Sequence, residues 1–454
     1  MTAAIDPARL AELTRRERKV FESRHPASMA AWAAGRAHLV GGVPMTWMLK
    51  AAGGFPVFLE GARGARLRDI DGHEYVDFCL GDTGAMAGHS PQPFVDAVHR
   101  RLAERGGATA MLPTEDAAWV AAELAARFGV QRWSFALTAT DANRWMLRIA
   151  RQLTGRPKIL VFSYCYHGSV DESFVVSGDD GKVVSREGNV GAPVDPALTT
   201  RVVEFNDVDA LARELSNEDV ACVLMEPALT NIGIVLPDPG FLDDVRWLTR
   251  QAGTLLVVDE THTISAGWGG ATRAWGLTPD AVTIGKAIGG GVPIGAYGLA
   301  AELADALLED RSADIVDTGG VGGTLAGNAL SLTAARATLE HVLTPDAFAH
   351  MTTLAERFTA GVQETIDRHS LPWSVTRLGA RAEYRFIAPA PRSGGESAAA
   401  AVPELDDLLH LYAANRGILM TPFHNMALMC PATTAADVDL HTEVFAAAVA
   451  ELVG

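Results

Sequence analysis

The chain has 454 residues, of which 48% are apolar and 20% are charged, so it has ample material for a buried interior. A chain of this length predicts two domains, or one large domain with terminal additions. Its formal net charge of −17 argues against nucleic acid and anionic membranes as partners, because a field of that sign repels phosphate groups.

The cysteine and hydropathy patterns indicate a reducing compartment and no membrane segment. The N-terminus lacks the apolar core of a secretory signal, and no window approaches about 18 uninterrupted apolar residues. The cysteines form no CxxC pair and have mostly apolar neighbours, which is typical of buried free thiols. We therefore expect a cytoplasmic protein with no membrane partner. The cysteines are Cys79, Cys165, Cys222 and Cys430.

The N-terminal region combines a helical arm with a hairpin. Residues 1–35 are predicted to form an amphipathic helical arm, and the glycine-rich stretch Gly41–Gly54 a loop. Alternating residues around Asp71-Gly72 predict a strand over Ala65–Asp69, a tight turn and a returning strand over Tyr75–Phe78.

From about Pro93 onward, predicted helices and strands alternate. Helices are expected after Thr114, from Thr140 to Gly155 and over Phe241–Gln251. Strands with helical crossovers predict an α/β fold whose central sheet is mostly parallel, with helices on both faces. The predicted strands are Trp133–Leu137, Ile159–Phe162, Val202–Phe205, Ala221–Met225, Leu255–Val258, Ala281–Ile284 and Gly295–Leu299.

Three segments make up the expected domain organisation. Residues 93–343 would form the large domain, and residues 344–454 would join residues 1–92 in a smaller α+β domain. Within the C-terminal segment, the composition of residues 389–407 predicts a surface loop.

Candidate catalytic residues follow two of the predicted strands. Asp259 and Glu260 follow the apolar strand Leu255–Val258, at the edge where open parallel sheets bind ligands. Lys286 follows the next apolar strand and precedes a glycine-rich turn, and a buried lysine is costly unless its amine is used. Taken singly, an aspartate here is more often a loop cap, and a lysine more often faces solvent.

As a pair, these residues fit pyridoxal phosphate (PLP). A carboxylate at one strand end and an amine at the next would converge on one ligand. PLP needs a lysine to form a Schiff base and a carboxylate to keep its pyridine nitrogen protonated, so that the ring withdraws electrons. The sequence therefore predicts Lys286 and Asp259 as the catalytic pair.

The phosphate and the ring of such a cofactor need further contacts. Thr140 lies at a predicted helix N-terminus, where free N–H groups bind anions, although an ordinary threonine cap has the same local sequence. Gly322–Asn328 is also predicted to open a helix, but its glycine pattern alone is a weak signal. Tyr166 follows the strand Ile159–Phe162 and is suited either to stack on a flat ring or to pack in the core.

The chain resembles the class III aminotransferases, particularly the glutamate-1-semialdehyde aminomutases and the β-amino-acid aminotransferases. The similar segments follow the family's order from Arg66 to Asn328, more than half of the chain. The lysine segment with its trailing glycines and the GTLAGN segment are the most specific. The segments are RLRDIDGHEYVDF, TATDAN, YHG, MEPALTNIG, VVDETHT, TIGKAIGGGVPIGAYG and GGTLAGN.

The resemblance implies a fold-type I PLP enzyme, with no metal, that forms a homodimer or a larger homo-oligomer. Lys286 would hold PLP as a Schiff base and move the proton at the reacting carbon, and Asp259 would pair with the ring nitrogen. The other cofactor-binding residues would be His167, Tyr166 stacked on the ring, Ala139 and Thr140 at the phosphate, Glu226 and Asn231 near O3′, and Thr324 at the phosphate of a neighbouring subunit.

Two departures from the family pattern bear on the site. Ala139 and Asp141 replace the usual glycine and glutamate, which narrows the phosphate loop and shortens one carboxylate. The aminomutases tend to have an Asn-Ser-Pro-Val-Arg stretch near the N-terminus, whereas Gly41–Met48 has no arginine. This difference favours a more apolar pocket, with Trp47 and Met48 as its walls.

We therefore interpret the chain as an aminotransferase that moves an amino group from an apolar or aryl amine or amino acid to a keto acid or aldehyde. The alternatives are an aminomutase or amino-acid racemase on the same scaffold, and a PLP-binding homologue without turnover. Arg381 is a candidate clamp for a substrate carboxylate, in competition with Arg377 and Arg385, and His424 is a second pocket candidate.

Overall fold

The structure is a computed structural model that describes residues 5–191, 194–309 and 320–454. The described chain divides into two compact units. The segment Pro391–Ala399 belongs to the larger unit, whereas the sequence analysis assigned it to the C-terminal small domain. The larger unit comprises the described parts of Gln92–Pro345 with Pro391–Ala399, and the smaller unit comprises the described residues before Gln92 with Asp346–Ala390 and Ala400–Gly454.

The helices and strands are numbered in chain order. The described helices are α1 (Pro7–Arg24), α2 (Pro26–Gly35), α3 (Gln92–His99), α4 (Glu115–Phe128), α5 (Ala139–Thr154), α6 (Val208–Leu215), α7 (Phe241–Gln251), α8 (Gly270–Ala274), α9 (Ala301–Glu309), α10 (Ala329–His341), α11 (Pro345–Arg368), α12 (Gly394–Ala399), α13 (Pro403–Ala414) and α14 (Ala435–Val453). Short 3-10 segments include Val40–Gly42, Thr46–Lys50, Thr263–Ala266 and Lys286–Gly289.

The strands form separate sheets in the two units. They are β1 (Leu59–Arg63), β2 (Arg66–Asp69), β3 (Glu74–Asp77), β4 (Arg132–Ala136), β5 (Lys158–Phe162), β6 (Val175–Ser177), β7 (Val183–Ser185), β8 (Thr200–Val203), β9 (Val220–Met225), β10 (Leu255–Asp259), β11 (Ala281–Ile284), β12 (Gly295–Leu299), β13 (Ser374–Leu378), β14 (Arg381–Arg385), β15 (Ile418–Leu419) and β16 (Met426–Leu428).

The larger unit is built on a seven-stranded sheet with the order β4-β12-β11-β10-β9-β5-β8. The neighbours from β11 to β8 pair in parallel, whereas β12 runs antiparallel to both β11 and β4. Every residue of β9 and of β11 is buried, which is typical of strands in a covered parallel sheet. The predicted α/β fold with a mostly parallel central sheet is therefore confirmed.

Helix α5 follows from its sequence. Thr138 caps its N-terminus, because its side chain accepts a hydrogen bond from the backbone N–H of Asp141. Gly155 ends the helix in the left-handed conformation, with φ of 69°. Trp145 and Ile149 lie on its buried face, as the helical spacing predicts. Helix α5 therefore begins shortly after the end of β4, at the edge of the sheet.

The smaller unit contains a four-stranded sheet, β1-β2-β3-β15, and a three-stranded sheet, β13-β14-β16. Strands β2 and β3 form the predicted hairpin, and Gly72 takes a φ of 90° in its turn. The surface loop predicted over residues 389–407 is wrong in part, because helix α12 and the start of α13 lie within it. Pro403 suits the first turn of α13, where no backbone donor is needed, and the alanines favour helix.

The predicted buried free thiols are confirmed for three of the four cysteines. All four cysteines are free thiols, with Cys79 partly exposed and the other three buried. Burial raises the pKa of the Cys222 thiol to about 12. Among the described helices, none combines the length and the apolar composition that a membrane crossing needs.

Candidate active site

Asp259 and Lys286 lie at the carboxyl ends of two neighbouring parallel strands. Asp259 is the last residue of β10 and pairs in register with Thr283 of β11. Strand β11 ends at Ile284, and Lys286 begins the 3-10 turn that follows it. The structure therefore places both side chains at the sheet edge where ligands of open α/β folds bind.

Lys286 has a backbone conformation that few side chains adopt. Its φ is 48°, in the left-handed region, which costs an ordinary residue roughly 1–2 kcal/mol. Its Nζ lies 2.6 Å from Nε2 of His262 and 6.0 Å from the centroid of the Tyr166 ring. Strain of this kind is typical of functional positions. The amine is thus aimed between an imidazole and an aromatic face.

The Asp259 carboxylate is buried and accepts hydrogen bonds on both oxygens. Nδ1 of His167 lies 2.9 Å from Oδ2, Nδ2 of Asn143 donates to Oδ2 at 2.7 Å, and the backbone N–H of Thr261 donates to Oδ1 at 3.0 Å. Burial alone would raise the pKa of Asp259, but these donors, led by His167, outweigh burial and lower it. Asp259 therefore stays ionised inside the protein.

His167 is the positive partner of this carboxylate. Burial alone would lower the pKa of His167, but its contacts with Cys165 and Asp259 outweigh burial and raise that pKa well above the ordinary value. The positive charge of the imidazolium stabilises the negative charge of Asp259 in a buried site, where water does not solvate the carboxylate. The sequence had placed His167 at the cofactor, and its side chain in the structure bonds to Asp259.

Asn143 belongs to the same network, although the sequence analysis assigned it no role. Its Oδ1 accepts a hydrogen bond from Oγ1 of Thr283 at 2.5 Å, and its Nδ2 also donates to the backbone carbonyl of His167 at 3.1 Å. The residue connects α5, β11 and the loop after β5 behind Asp259. The available signal was the segment TATDAN, in which the asparagine falls on the buried face of α5.

The start of α5 has the features of an anion-binding site. Ala139 and Thr140 are its first two residues, so their backbone N–H groups have no partner within the helix. Oγ1 of Thr140 accepts a hydrogen bond from the backbone N–H of Ser169 at 3.2 Å. Oδ2 of Asp141 accepts a hydrogen bond from Oγ1 of Thr138 at 2.9 Å.

Glycines let other backbone segments approach this helix start closely. A Cβ added to Gly285 would lie 3.0 Å from Cβ and from N of Ala139. A Cβ on Gly295 would overlap the carbonyl of Thr138, and one on Gly168, where φ is +78°, would overlap the Thr140 side chain. The lysine turn and the YHG loop are therefore held against the N-terminus of α5.

Glu226 and Asn231 make different contacts. Oε1 of Glu226 accepts a hydrogen bond from the backbone N–H of Tyr166 at 3.0 Å, and burial raises the pKa of this carboxyl. In the orientation that satisfies both groups, the Asn231 amide oxygen accepts a hydrogen bond from Nη2 of Arg186 at 2.8 Å. Glu226 thus positions the Tyr166 backbone, while the Asn231 side chain is engaged by Arg186.

Thr324 does not lie at a helix start. Helix α10 begins at Ala329 and is capped by Asn328, whose side chain accepts a hydrogen bond from the backbone N–H of Ser331 at 2.9 Å. Thr324 is an exposed residue in the turn that precedes it. The segment Gly322–Asn328 does lead into a helix, but its asparagine rather than its glycines begins that helix, and Thr324 lies four residues before this cap.

The substrate candidates Trp47, Arg381 and His424 all belong to the smaller unit. Arg381 is only 1% exposed, its Nη2 donates to Oγ1 of Thr83, and it lies 3.7 Å from Oδ1 of Asp82. His424 is also buried, with Nδ1 3.3 Å from Oε1 of Glu383. Both side chains thus have partners within their own unit.

The competing arginines differ from Arg381 in their surroundings. Arg377 is partly exposed and lies 3.2 Å from Oε1 of Glu356. Arg385 is partly buried at the end of β14. Among these three arginines, Arg381 is therefore the one that is fully buried.

Trp47 contributes to an apolar groove of the smaller unit. Its ring is 44% exposed and meets Phe423 edge to face at 6.1 Å. The groove has a volume of about 500 Å³. Its apolar lining includes Val43, Pro44, Trp47, Met48, Leu419 and Met420.

A model of the family described as aminotransferase class-III matches residues 48–449. This chain belongs to the class III aminotransferases. Members of this family use PLP as their cofactor, which is the cofactor that the sequence predicts. Lys286, Asp259 and the start of α5 fit that group, because they bring an amine, an ionised buried carboxylate and free backbone N–H groups to one edge of one sheet.

Similar class III proteins include aminomutases and aminotransferases. Glutamate-1-semialdehyde 2,1-aminomutase 1 of Bacillus cereus strain G9842 is 32% identical over 407 residues, 88% of this chain and 92% of the relative. A K286A variant of a glutamate-1-semialdehyde aminomutase from Pseudomonas aeruginosa PAO1, in complex with PMP, is 48% identical over 99% of both chains, with a TM-score of 0.96. A β-phenylalanine aminotransferase from Variovorax paradoxus is 27% identical over 98% of this chain and 97% of that one, with a TM-score of 0.85.

Proposed function

We propose that the chain is a PLP-dependent aminomutase that shifts an amino group between adjacent carbons of an amino aldehyde such as glutamate 1-semialdehyde. The observation that supports this proposal most is the 48% identity, over 99% of both chains, to a protein described as such an aminomutase. Curated relatives that share 32% identity have the same description. The sequence favoured transfer between two substrates, whereas these relatives favour the stated alternative, an aminomutase.

The proposed roles of the chain's residues follow from their contacts. Bound PLP supplies an aldehyde that condenses with amines and a protonated ring that draws electrons from the amine-bearing carbon. Lys286 is the residue that attaches the cofactor and moves the proton at the substrate carbon, since it follows the strand that pairs with the strand of Asp259 and its amine faces the Tyr166 ring. Asp259 holds a proton at the ring nitrogen, and His167 keeps that carboxylate charged.

The remaining cofactor contacts are also proposed. The N–H groups of Ala139 and Thr140 would bind the phosphate, because they lie at the start of a helix that the glycine-rich segments approach closely. Tyr166 would stack on the ring, since Lys286 Nζ lies 6.0 Å from its centroid. Glu226 would support the position of Tyr166 through the backbone hydrogen bond of 3.0 Å.

The reaction proposed is an isomerisation. The C–N bond at one carbon breaks and a C–N bond at its neighbour forms, while the carbonyl group moves in the opposite direction. Substrate and product have the same composition, so the reaction needs neither an oxidant nor a second organic substrate. This property separates the aminomutase from an aminotransferase, which needs an amine donor and a carbonyl acceptor.

The test supplies glutamate 1-semialdehyde to the purified holoenzyme with no other amine or keto acid. We expect its conversion to aminolevulinate, catalytically and without a keto acid product. The matched control is Lys286→Ala, which lacks the reacting amine. An enzyme that converts the semialdehyde only when a keto acid is added would contradict the proposal and identify a transaminase.

A second candidate, transamination of apolar or aryl amines, has a specific observation in its favour. The stretch Gly41–Met48 contains no arginine, and Val43, Trp47 and Met48 line an apolar groove instead. A screen of such amines with pyruvate or 2-oxoglutarate tests this candidate. Fast amine consumption, together with no reaction of glutamate 1-semialdehyde alone, would replace the aminomutase proposal.

A further inference from the structure

We infer that His262 is a positioning residue for Lys286: its neutral imidazole accepts a hydrogen bond from the protonated amine and holds that amine in its reactive orientation. Nε2 of His262 lies 2.6 Å from Nζ of Lys286, which is short for a hydrogen bond between two nitrogens. The inference rests on the proposed role of Lys286 as the reacting lysine. It holds for either an aminomutase or an aminotransferase.

The distance restricts the protonation of the pair. An ammonium group has donors only, and a protonated imidazole also has donors only, so two charged groups could not form this contact. One of the two nitrogens therefore donates a proton to the other in the hydrogen bond between Nζ and Nε2. Because an unperturbed lysine amine is far more basic than an imidazole, the proton resides on Lys286, and His262 accepts.

The chain holds His262 rigidly at this place. The residue is 6% exposed and follows Asp259 by three positions, in the turn after β10. Its backbone carbonyl accepts a hydrogen bond from Oγ of Ser265 at 3.0 Å. The backbone N–H of Ile264 donates to the carbonyl of Glu260 at 2.9 Å and closes the turn. The imidazole is therefore presented by a turn that is closed by its own hydrogen bonds.

A buried carboxylate stabilises the same turn. The Glu260 side chain accepts hydrogen bonds from Oγ1 of Thr263 at 2.7 Å, from N–H of Ala271 at 3.1 Å and from N–H of Thr272 at 2.5 Å. Burial raises the pKa of this carboxyl. Glu260 thus acts within its own turn and connects it to helix α8.

Tyr166 faces the pair, and three further titratable groups of the described chain, Glu226, Asp259 and His167, lie at or after the ends of strands in the same sheet. The two carboxylates accept hydrogen bonds from donors elsewhere, namely His167 to Asp259 and Tyr166 N–H to Glu226. The Tyr166 ring presents its face to Nζ at 6.0 Å, which favours a cation there. His262 and Tyr166 therefore act in the same direction, since both stabilise the charged amine.

This arrangement suits a lysine that must gain and release a proton. After Lys286 takes a proton from the substrate carbon, the hydrogen bond to His262 stabilises the resulting ammonium and fixes the direction of its remaining protons. The same contact favours the protonated amine over the free amine, because a charged donor forms the stronger hydrogen bond to Nε2 of His262.

The test measures how pH controls attachment of pyridoxal to Lys286 in the full-length chain stripped of PLP. Pyridoxal is the probe, cyanoborohydride traps the product, and peptide mapping counts the label at Lys286. We compare the wild type with His262→Leu, which removes the acceptor, and His262→Gln, whose amide oxygen can replace it. His341→Gln, at an exposed position in α10, is the control.

The expected result has a defined direction. The pH midpoint of attachment should fall by about one unit or more in His262→Leu and return most of the way in His262→Gln. Equal midpoints in all variants, or a rise in His262→Leu, would overturn the inference. Label on other lysines with none on Lys286 would instead refute the assignment of Lys286, so the two failures are distinguishable.

Discussion

His167 and Asp259 form a buried ion pair beneath the sheet edge, with Nδ1 of His167 2.9 Å from Oδ2 of Asp259. Both side chains are almost fully excluded from solvent. Each partner shifts the other's pKa in the direction that keeps both charged, against the effect of burial. The pair fixes a negative charge on the carboxylate that we propose faces the ring nitrogen of PLP.

Removing the Asp259 charge should slow the reaction far more than it weakens cofactor binding. In Asp259→Ala, the lysine and the phosphate contacts remain, so part of the PLP should stay bound. The rate of the amine half-reaction, followed by stopped-flow absorbance, should fall by orders of magnitude because the ring nitrogen loses its proton. Near-normal turnover would mean that another acid faces the ring. Asp259→Asn is the matched control, because it keeps the shape of the side chain and removes only its negative charge.

The His167–Asp259 pair should make stability depend on pH. The lowered pKa of Asp259 gives stability that is present above about pH 4 and is lost as pH falls through the lowered pKa. The raised pKa of His167 gives stability that is fully present below about pH 6.5 and is lost as pH rises through the raised pKa. The His167–Asp259 pair therefore contributes most to the free energy of unfolding between about pH 4 and about pH 6.5.

Thermal unfolding of the chain without PLP measures this dependence. The gap in apparent Tm between the wild type and His167→Asn should be largest near about pH 5.5 and smaller near about pH 9. A gap that stays constant over this range would show that the pair is not charged. His341→Gln, which changes an exposed histidine, should shift the profile little.

The proposed attachment site of PLP can be identified chemically. We expect the purified protein to be yellow and to lose its visible absorption on treatment with borohydride. Peptide mapping should then find the pyridoxyl group on Lys286, because this lysine lies at the sheet edge beside Asp259. A label on a different lysine would remove the basis of the proposed mechanism.

Shared active sites in a homodimer predict complementation between inactive variants. Lys286→Ala lacks the reacting amine, and Thr324→Trp places a bulky side chain at a residue proposed to reach the neighbour's phosphate. Mixed dimers should regain part of the activity, because one of their two sites would have both intact residues. A fully active monomer in sedimentation, or no recovery between subunits shown to exchange, would count against shared sites.

Arg381 should matter for folding as well as for any substrate contact. It is 1% exposed and is paired within its own unit with Thr83 and Asp82. Arg381→Met removes the hydrogen bond to Thr83 and the positive charge beside Asp82, and losing the hydrogen bonds of a buried charged group costs about 1–3 kcal/mol. We expect a clear loss in the urea midpoint, whereas Arg377→Met at the partly exposed neighbour should change it little. Equal midpoints for the two variants would contradict a structural role.

The sequence by itself determined the architecture of the larger unit and its cofactor. Apolar runs such as that of β9 predict buried parallel strands, because no residue there can face water on either side. The ends of β10 and β11 then place Asp259 and Lys286 at one edge, since neighbouring parallel strands end on the same side. Periodicity predicts the strands and where they end, and the resemblance to the class III family supports the identity of the cofactor.

The tertiary structure decided the contacts between residues distant in sequence. The meeting of His262 with Lys286, and of Asn143 and His167 with Asp259, depends on how three loops and a helix start come together. A local sequence pattern does not specify such distances. Thr324 was misplaced for a related reason: several residues are able to open a helix, and only the folded chain showed that the hydrogen bonds of Asn328 begin α10.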